Sequence, residues 1–142
     1  MSVQIRLPDE LEKMRQILVD RILQDAPDLV ALYVYGSQTQ GGVHPGSDLD
    51  LALLMPRELN IPAGVLLQLQ GDLEALAGVP VQVSVLKPES QFVHRKEVVA
   101  YGVPIYVADP NEVAAFEMQT LSSYAQYSQD RRLVTAAYIK EK

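Results

Sequence analysis

The chain has 142 residues, 48% of them hydrophobic and 21% charged, which is enough for one domain with its own core and argues against disorder. A formal net charge of −6 gains nothing from counterion release on a polyanion, so bulk binding to DNA or RNA is not expected. The absence of cysteine rules out disulfides, thiolate nucleophiles and cysteine-based zinc sites together.

The elements alternate in type along the chain. Residues 8–25 are predicted as a helix, with Pro8 in its first turn and Leu11, Met14, Leu18 and Ile22 at helical spacing. Residues 30–36, VALYVYG, are β-branched and aromatic and end at glycine, the pattern of a strand. A second strand is expected over 48–55. Residues 61–77 read as a helix with Asn60 as its cap, an apolar stripe of Leu66, Leu69, Leu73 and Leu76, and a stop at Gly78 and Pro80. Residues 81–86, VQVSVL, alternate strictly and predict a strand. A helix over 89–100 and a short strand over 103–107 follow. Asp109-Pro110-Asn111-Glu112 has the form of a capping box with proline at the first helical position, and the helix it opens is expected to run to about residue 140. Helices mixed with few strands give an α/β (α+β) class with one small sheet.

The N-terminal MSVQIRLPDELEK lacks the apolar core of a signal peptide, and no apolar run reaches the length of a membrane span. A cytoplasmic protein is the expectation. Basic residues are dispersed, and the adjacent pairs Arg95-Lys96 and Arg131-Arg132 are expected to be exposed, solubilising charge.

The chemistry concentrates in residues 36–50, GSQTQGGVHPGSDLD. Side chains alternate along a strand, so Asp48 and Asp50 share a face while Leu49 and Leu51 point to the other. Two neighbouring carboxylates repel each other, and a divalent cation with a preference for hard oxygen ligands, such as Mg²⁺, offsets that repulsion. Asp-x-Asp alone is common on solvated strand faces. The segment before it changes the reading. Gly36 ends a strand and permits a sharp turn and close backbone approach to a ligand. Ser37 can cap a following short helix, whose free N–H groups suit phosphate oxygens. Gly41-Gly42 and Pro45-Gly46 tighten the return loop, and Ser47 stands where it can position the aspartates.

Taken together, Gly-Ser, ten residues and then Asp-x-Asp resembles the signature of the nucleotidyltransferase superfamily that includes DNA polymerase β. The short chain is similar to the minimal nucleotidyltransferases (MNT), the antitoxin halves of HEPN/MNT toxin–antitoxin pairs. Gly36, Ser37, Asp48 and Asp50 match the signature residue by residue. The resemblance implies a polymerase β-like fold, a small mixed sheet flanked by helices, with one domain spanning 1–142 and a long C-terminal helix over 110–140. It implies Mg²⁺ on Asp48 and Asp50, and ATP as the substrate held by Gly36, Ser37 and Ser47. It also implies transfer of AMP to a tyrosine hydroxyl of a cognate HEPN ribonuclease toxin, in a hetero-oligomer with that toxin.

One position departs from the pattern. Members of the superfamily commonly carry a third carboxylate on a neighbouring strand. In Val81-Gln82-Val83-Ser84-Val85 the valines define the buried face, so Gln82 and Ser84 belong to the active-site face, and the third position is Gln82. An amide cannot accept a proton from an attacking hydroxyl at neutral pH. Three readings stay open: an aspartate replaced in an engineered form, an enzyme that works without the third carboxylate, or an antitoxin that neutralises by binding alone.

Of the two histidines, His44 is expected to be a solvated loop residue and His94 a surface residue, and two are too few for a multi-histidine zinc site. Tyr124 and Tyr127 lie one turn apart, with Phe116 and Leu121 near the same face and Tyr138 further on. That stripe fits either the domain's own core or a partner-binding helix.

Overall fold

The computed structural model describes residues 9–35 and 48–140. Its elements are α1 (Asp9–Asp25), β1 (Ala31–Tyr35), β2 (Leu49–Leu54), α2 (Ala63–Ala77), β3 (Val81–Leu86), α3 (Phe92–Tyr101), β4 (Val103–Val107) and α4 (Pro110–Lys140). The four strands form one mixed sheet in the order β3-β2-β1-β4. β1 runs antiparallel to both β2 and β4, and β2 runs parallel to β3 through the α2 crossover. The expected α/β (α+β) class with a small mixed sheet is what the chain adopts.

Strand alternation divides the core in two. Leu32 and Val34 of β1, Leu49, Leu51 and Leu53 of β2 and Val81 of β3 join Leu18 and Ile22 of α1 and Leu69 and Leu73 of α2 in one apolar cluster. Ala31 and Tyr33, Ala52 and Leu54, and Leu86 point the other way and pack with Val98 of α3 and Val113 and Phe116 of α4. A one-residue slip would exchange these sets, so the register is strongly specified.

The edge strands are managed individually. On β3, the amides of Val81 and Val83 donate to the side chains of Glu74 (3.0 Å) and Gln70 (3.1 Å) of α2, which blunts the edge. β4 carries Pro104 on the opposite edge, where a missing N–H is tolerated. Its pairing with β1 shifts register between Leu32 and Tyr33. A Cβ on Gly102, between α3 and β4, would collide with the carbonyl oxygen of Val98, so glycine lets helix and strand join without a longer loop.

The helix ends test the cap expectations. Gly78 closes α2 in the left-handed region (φ 75°), donating to the Glu74 carbonyl at 2.9 Å. Asp109 Oδ1 accepts from the amides of Asn111 (3.1 Å) and Glu112 (3.2 Å) and starts α4 at Pro110. Asn60 is not the cap of α2. The cap position is Pro62, with no side-chain cap bond, and Asn60 Oδ1 instead accepts from Lys87 Nζ. The α2 stripe is also narrower than expected: Leu69 and Leu73 are buried, Leu66 is half-buried and Leu76 is 41% exposed. α3 begins at Phe92, three residues after the expected start, because Ser90 Oγ accepts from the Lys87 amide in the preceding turn (2.8 Å).

Among the described residues, no helix is long and apolar enough to cross a membrane.

Candidate active site

Asp48 immediately precedes β2, and Asp50 is its second residue. Pairing places Asp50 between two neighbours: Tyr35 of β1 on one side and Gln82 of β3 on the other. Directly paired residues share a face of the sheet, so Tyr35, Asp50 and Gln82 form one row. The next row inward holds Tyr33, Ala52 and Ser84. Both rows lie on the α3/α4 side. The inner row is roofed by apolar contacts around Val98, while Asp48 and Gln82 are exposed and Asp50 is half-buried. The carboxylates therefore stand where the second core ends.

Their electrostatics follow from this placement. Partial burial raises the pKa of Asp50, and the negative charge of Asp48 raises it further. Holding both carboxylates ionised costs free energy that a cation would offset. Among the described residues no group of three His, Cys, Asp or Glu side chains comes together as a metal cage. Two carboxylates with an exposed amide in register suit an ion that keeps water and phosphate oxygens in its shell, as Mg²⁺ does.

Beside the carboxylate row is a polar cluster that sequence reasoning missed. His94, on the first turn of α3, is half-buried, with Nε2 3.4 Å from Ser84 Oγ. Tyr35 Oη lies 3.4 Å from the same Ser84 oxygen, and the Tyr35 and His94 rings meet edge to face at 6.1 Å. His94 is thus not a surface residue. Arg95 is also not solubilising charge: it is only 9% exposed, donates to Ser90 O (2.9 Å) and Thr120 Oγ1 (3.4 Å), and stacks on Phe92. A signal was available. Val98 is the apolar anchor of α3, and residues three and four before it share its helical face; those are Arg95 and His94.

Other expectations divide. Gly36, Ser37, His44 and Ser47 lie outside the described residues. On α4, Phe116 is buried in the second core, while Leu121 and Tyr124 are exposed at 55% and 42%. Tyr124 stacks on Phe92 and lies under Lys96. The side chains of Tyr127, Arg131, Arg132 and Tyr138 lie outside the described residues.

The comparisons fit this geometry. A chain of a toxin–antitoxin complex with AMP-PNP superposes with a TM-score of 0.72 at 21% identity, covering 88% of this chain and 98% of that one. A complex of tri-AMPylated Shewanella oneidensis HEPN toxin with MNT antitoxin gives 0.68 at 17% identity, covering 90% and 98%. The MntA-HepT toxin–antitoxin gives the same TM-score, identity and coverage. No curated protein matches the sequence. The family described as polymerase beta, nucleotidyltransferase, matches residues 18–111. That stretch runs from α1 through β4 into the first turn of α4 and contains the whole sheet with its aspartates, and the chain belongs to the polymerase β nucleotidyltransferase family.

Proposed function

We propose that this protein is the antitoxin of a HEPN ribonuclease toxin and neutralises it by transferring AMP from ATP to a tyrosine hydroxyl of that toxin. The observation that carries this reading is the Asp48/Asp50 pair at the open end of the sheet in a nucleotidyltransferase fold. It is supported by likeness to a chain from a complex of tri-AMPylated HEPN toxin with MNT antitoxin and to a chain from a toxin–antitoxin complex with AMP-PNP.

In this reading Asp48 and Asp50 would hold Mg²⁺, which would supply charge neutralisation when bound. Gly36 and Ser37 hold the outer phosphates, and Ser47 positions the aspartates. The tyrosine oxygen attacks the α-phosphorus in line. One O–P bond forms, the α–β anhydride bond breaks, and pyrophosphate leaves. One domain spanning 1–142 suffices, and the exposed Leu121 and Tyr124 on α4 offer apolar area to the partner.

A second reading is favoured by one observation. Gln82, not a carboxylate, is paired with Asp50, so the antitoxin could neutralise by binding alone. Incubating the protein with Mg²⁺, ATP and the HEPN-type product of the adjacent gene, then weighing that product by mass spectrometry, separates the two. Added AMP that disappears in Asp48→Ala or Asp50→Ala is expected. No added mass, with added mass in Gln82→Asp, supports binding alone.

A further inference from the structure

Transfer to a hydroxyl requires that its proton go somewhere, and Gln82 cannot take it. We propose that His94 is the proton acceptor for the attacking hydroxyl, in place of the carboxylate that position 82 lacks. This rests on the transferase reading above.

The hydrogen bonds around Ser84 carry the argument. Ser84 Oγ donates its single proton to the Leu51 carbonyl at 3.3 Å. A hydroxyl has one proton to give and two lone pairs to receive with. With that proton on the Leu51 carbonyl, the proposed arrangement has Ser84 accepting from its other two neighbours, Tyr35 Oη and His94 Nε2, each 3.4 Å away. That arrangement puts the imidazole proton on Nε2. In the neutral ring Nδ1 then keeps its lone pair, and it has no hydrogen-bond partner among the described residues. An imidazole that donates through one nitrogen keeps a lone pair on the other and can receive a proton there.

The placement agrees. His94 stands one helical turn before Val98, the residue that fills the core over Tyr33, Ala52 and Leu86. It touches Tyr35, the direct neighbour of Asp50 across β1 and β2, and Ser84, two residues along β3 from Gln82. The imidazole thus borders the row that holds Asp50. In the proposed step the tyrosine O–H bond breaks as the new O–P bond forms. The proton passes to Nδ1 of His94, pyrophosphate carries away the electron pair of the anhydride bond, and the imidazolium later returns its proton to water.

The test is a double-mutant cycle on the protein with its toxin partner, Mg²⁺ and ATP, read as the single-turnover rate of AMP addition. His94→Ala is expected to lower the rate about 100-fold, with AMP-PNP affinity in Mg²⁺ unchanged. In the Gln82→Asp background, where a carboxylate is restored, the same substitution is expected to cost less than about fivefold. His94→Gln, which can still donate to Ser84 but cannot take a proton, is expected to behave as His94→Ala and serves as the readout if the alanine variant does not fold. A rate within about threefold of wild type in His94→Gln overturns the proposal, as does an equal loss in both backgrounds, which would mark a structural role. Turnover in Gln82→Asp but not in wild type overturns it while leaving the transfer site intact. Absence of transfer in every form sinks the transferase reading itself.

Discussion

The two faces of the sheet are built from the same four strands and behave as different materials. The α1/α2 face is a continuous apolar layer, with Leu18, Ile22, Leu32, Leu51, Leu53, Leu69 and Leu73 all removed from solvent. The α3/α4 face is apolar only at its inner end. It then carries Ser84 and His94, and finally the row of Tyr35, Asp50 and Gln82. Even its inner packing includes polar groups with specific partners. Tyr33 Oη donates to Glu117 at 3.1 Å, and burial with that carboxylate nearby raises the tyrosine's pKa far above its ordinary value. One face stores stability and the other carries the candidate site, because strand periodicity lets adjacent residues such as Asp50 and Leu51 serve opposite sides.

That contrast can be broken by substitution. The largest effect is expected from Asp50→Ala: AMP transfer should fall by about 10³-fold or more, as for other groups that stabilise developing charge, without loss of fold. Activity that survived would place the chemistry elsewhere. Its neighbour Leu51→Ala should do the opposite, lowering unfolding free energy by about 2–5 kcal/mol in denaturant titration. Transfer by the molecules that remain folded should change far less.

Two smaller effects sharpen the comparison. Arg95→Ala removes the bonds to Ser90 and Thr120 and the stacking on Phe92. A loss of about 1–3 kcal/mol is expected, because Thr120 is left with its bond to Phe116 O alone. A surface arginine would cost almost nothing. Finally, Asp50→Asn should raise the melting temperature slightly at neutral pH in metal-free buffer. The folded pKa of Asp50 is raised, so the folded state binds its proton more tightly than the unfolded chain does. Ionised Asp50 therefore costs stability, and the cost grows as pH rises from the ordinary aspartate pKa through the raised one. The advantage of asparagine should vanish below the ordinary value, and a melting-temperature series against pH checks the sign.

Much of the fold was legible from local patterns. VQVSVL alternates so strictly that 81–86 was both the predicted and the observed strand, with Gln82 and Ser84 on the face opposite the buried Val81. Asp109 and Pro110 announced the start of α4, and Gly78 the end of α2. Where local rules failed, a longer-range partner had taken over. Asn60 is a good cap by composition, but Lys87, distant in sequence, claims its side chain. Arg95-Lys96 looks like solvated charge until Thr120 and Phe92 enclose the arginine.

The candidate site divides the same way. By itself the sequence determined that two carboxylates stand two positions apart at the start of a strand and that a glutamine stands on the strand expected to lie beside them, because side-chain period two needs no tertiary information. Only the tertiary structure decided that Gln82 is the parallel partner of Asp50, that Tyr35 flanks it on the other side, and that His94 reaches Ser84. Those are contacts between strands and a helix far apart in the chain. They follow from strand order and from where α3 crosses the sheet, neither of which leaves a mark on the residues within any one element.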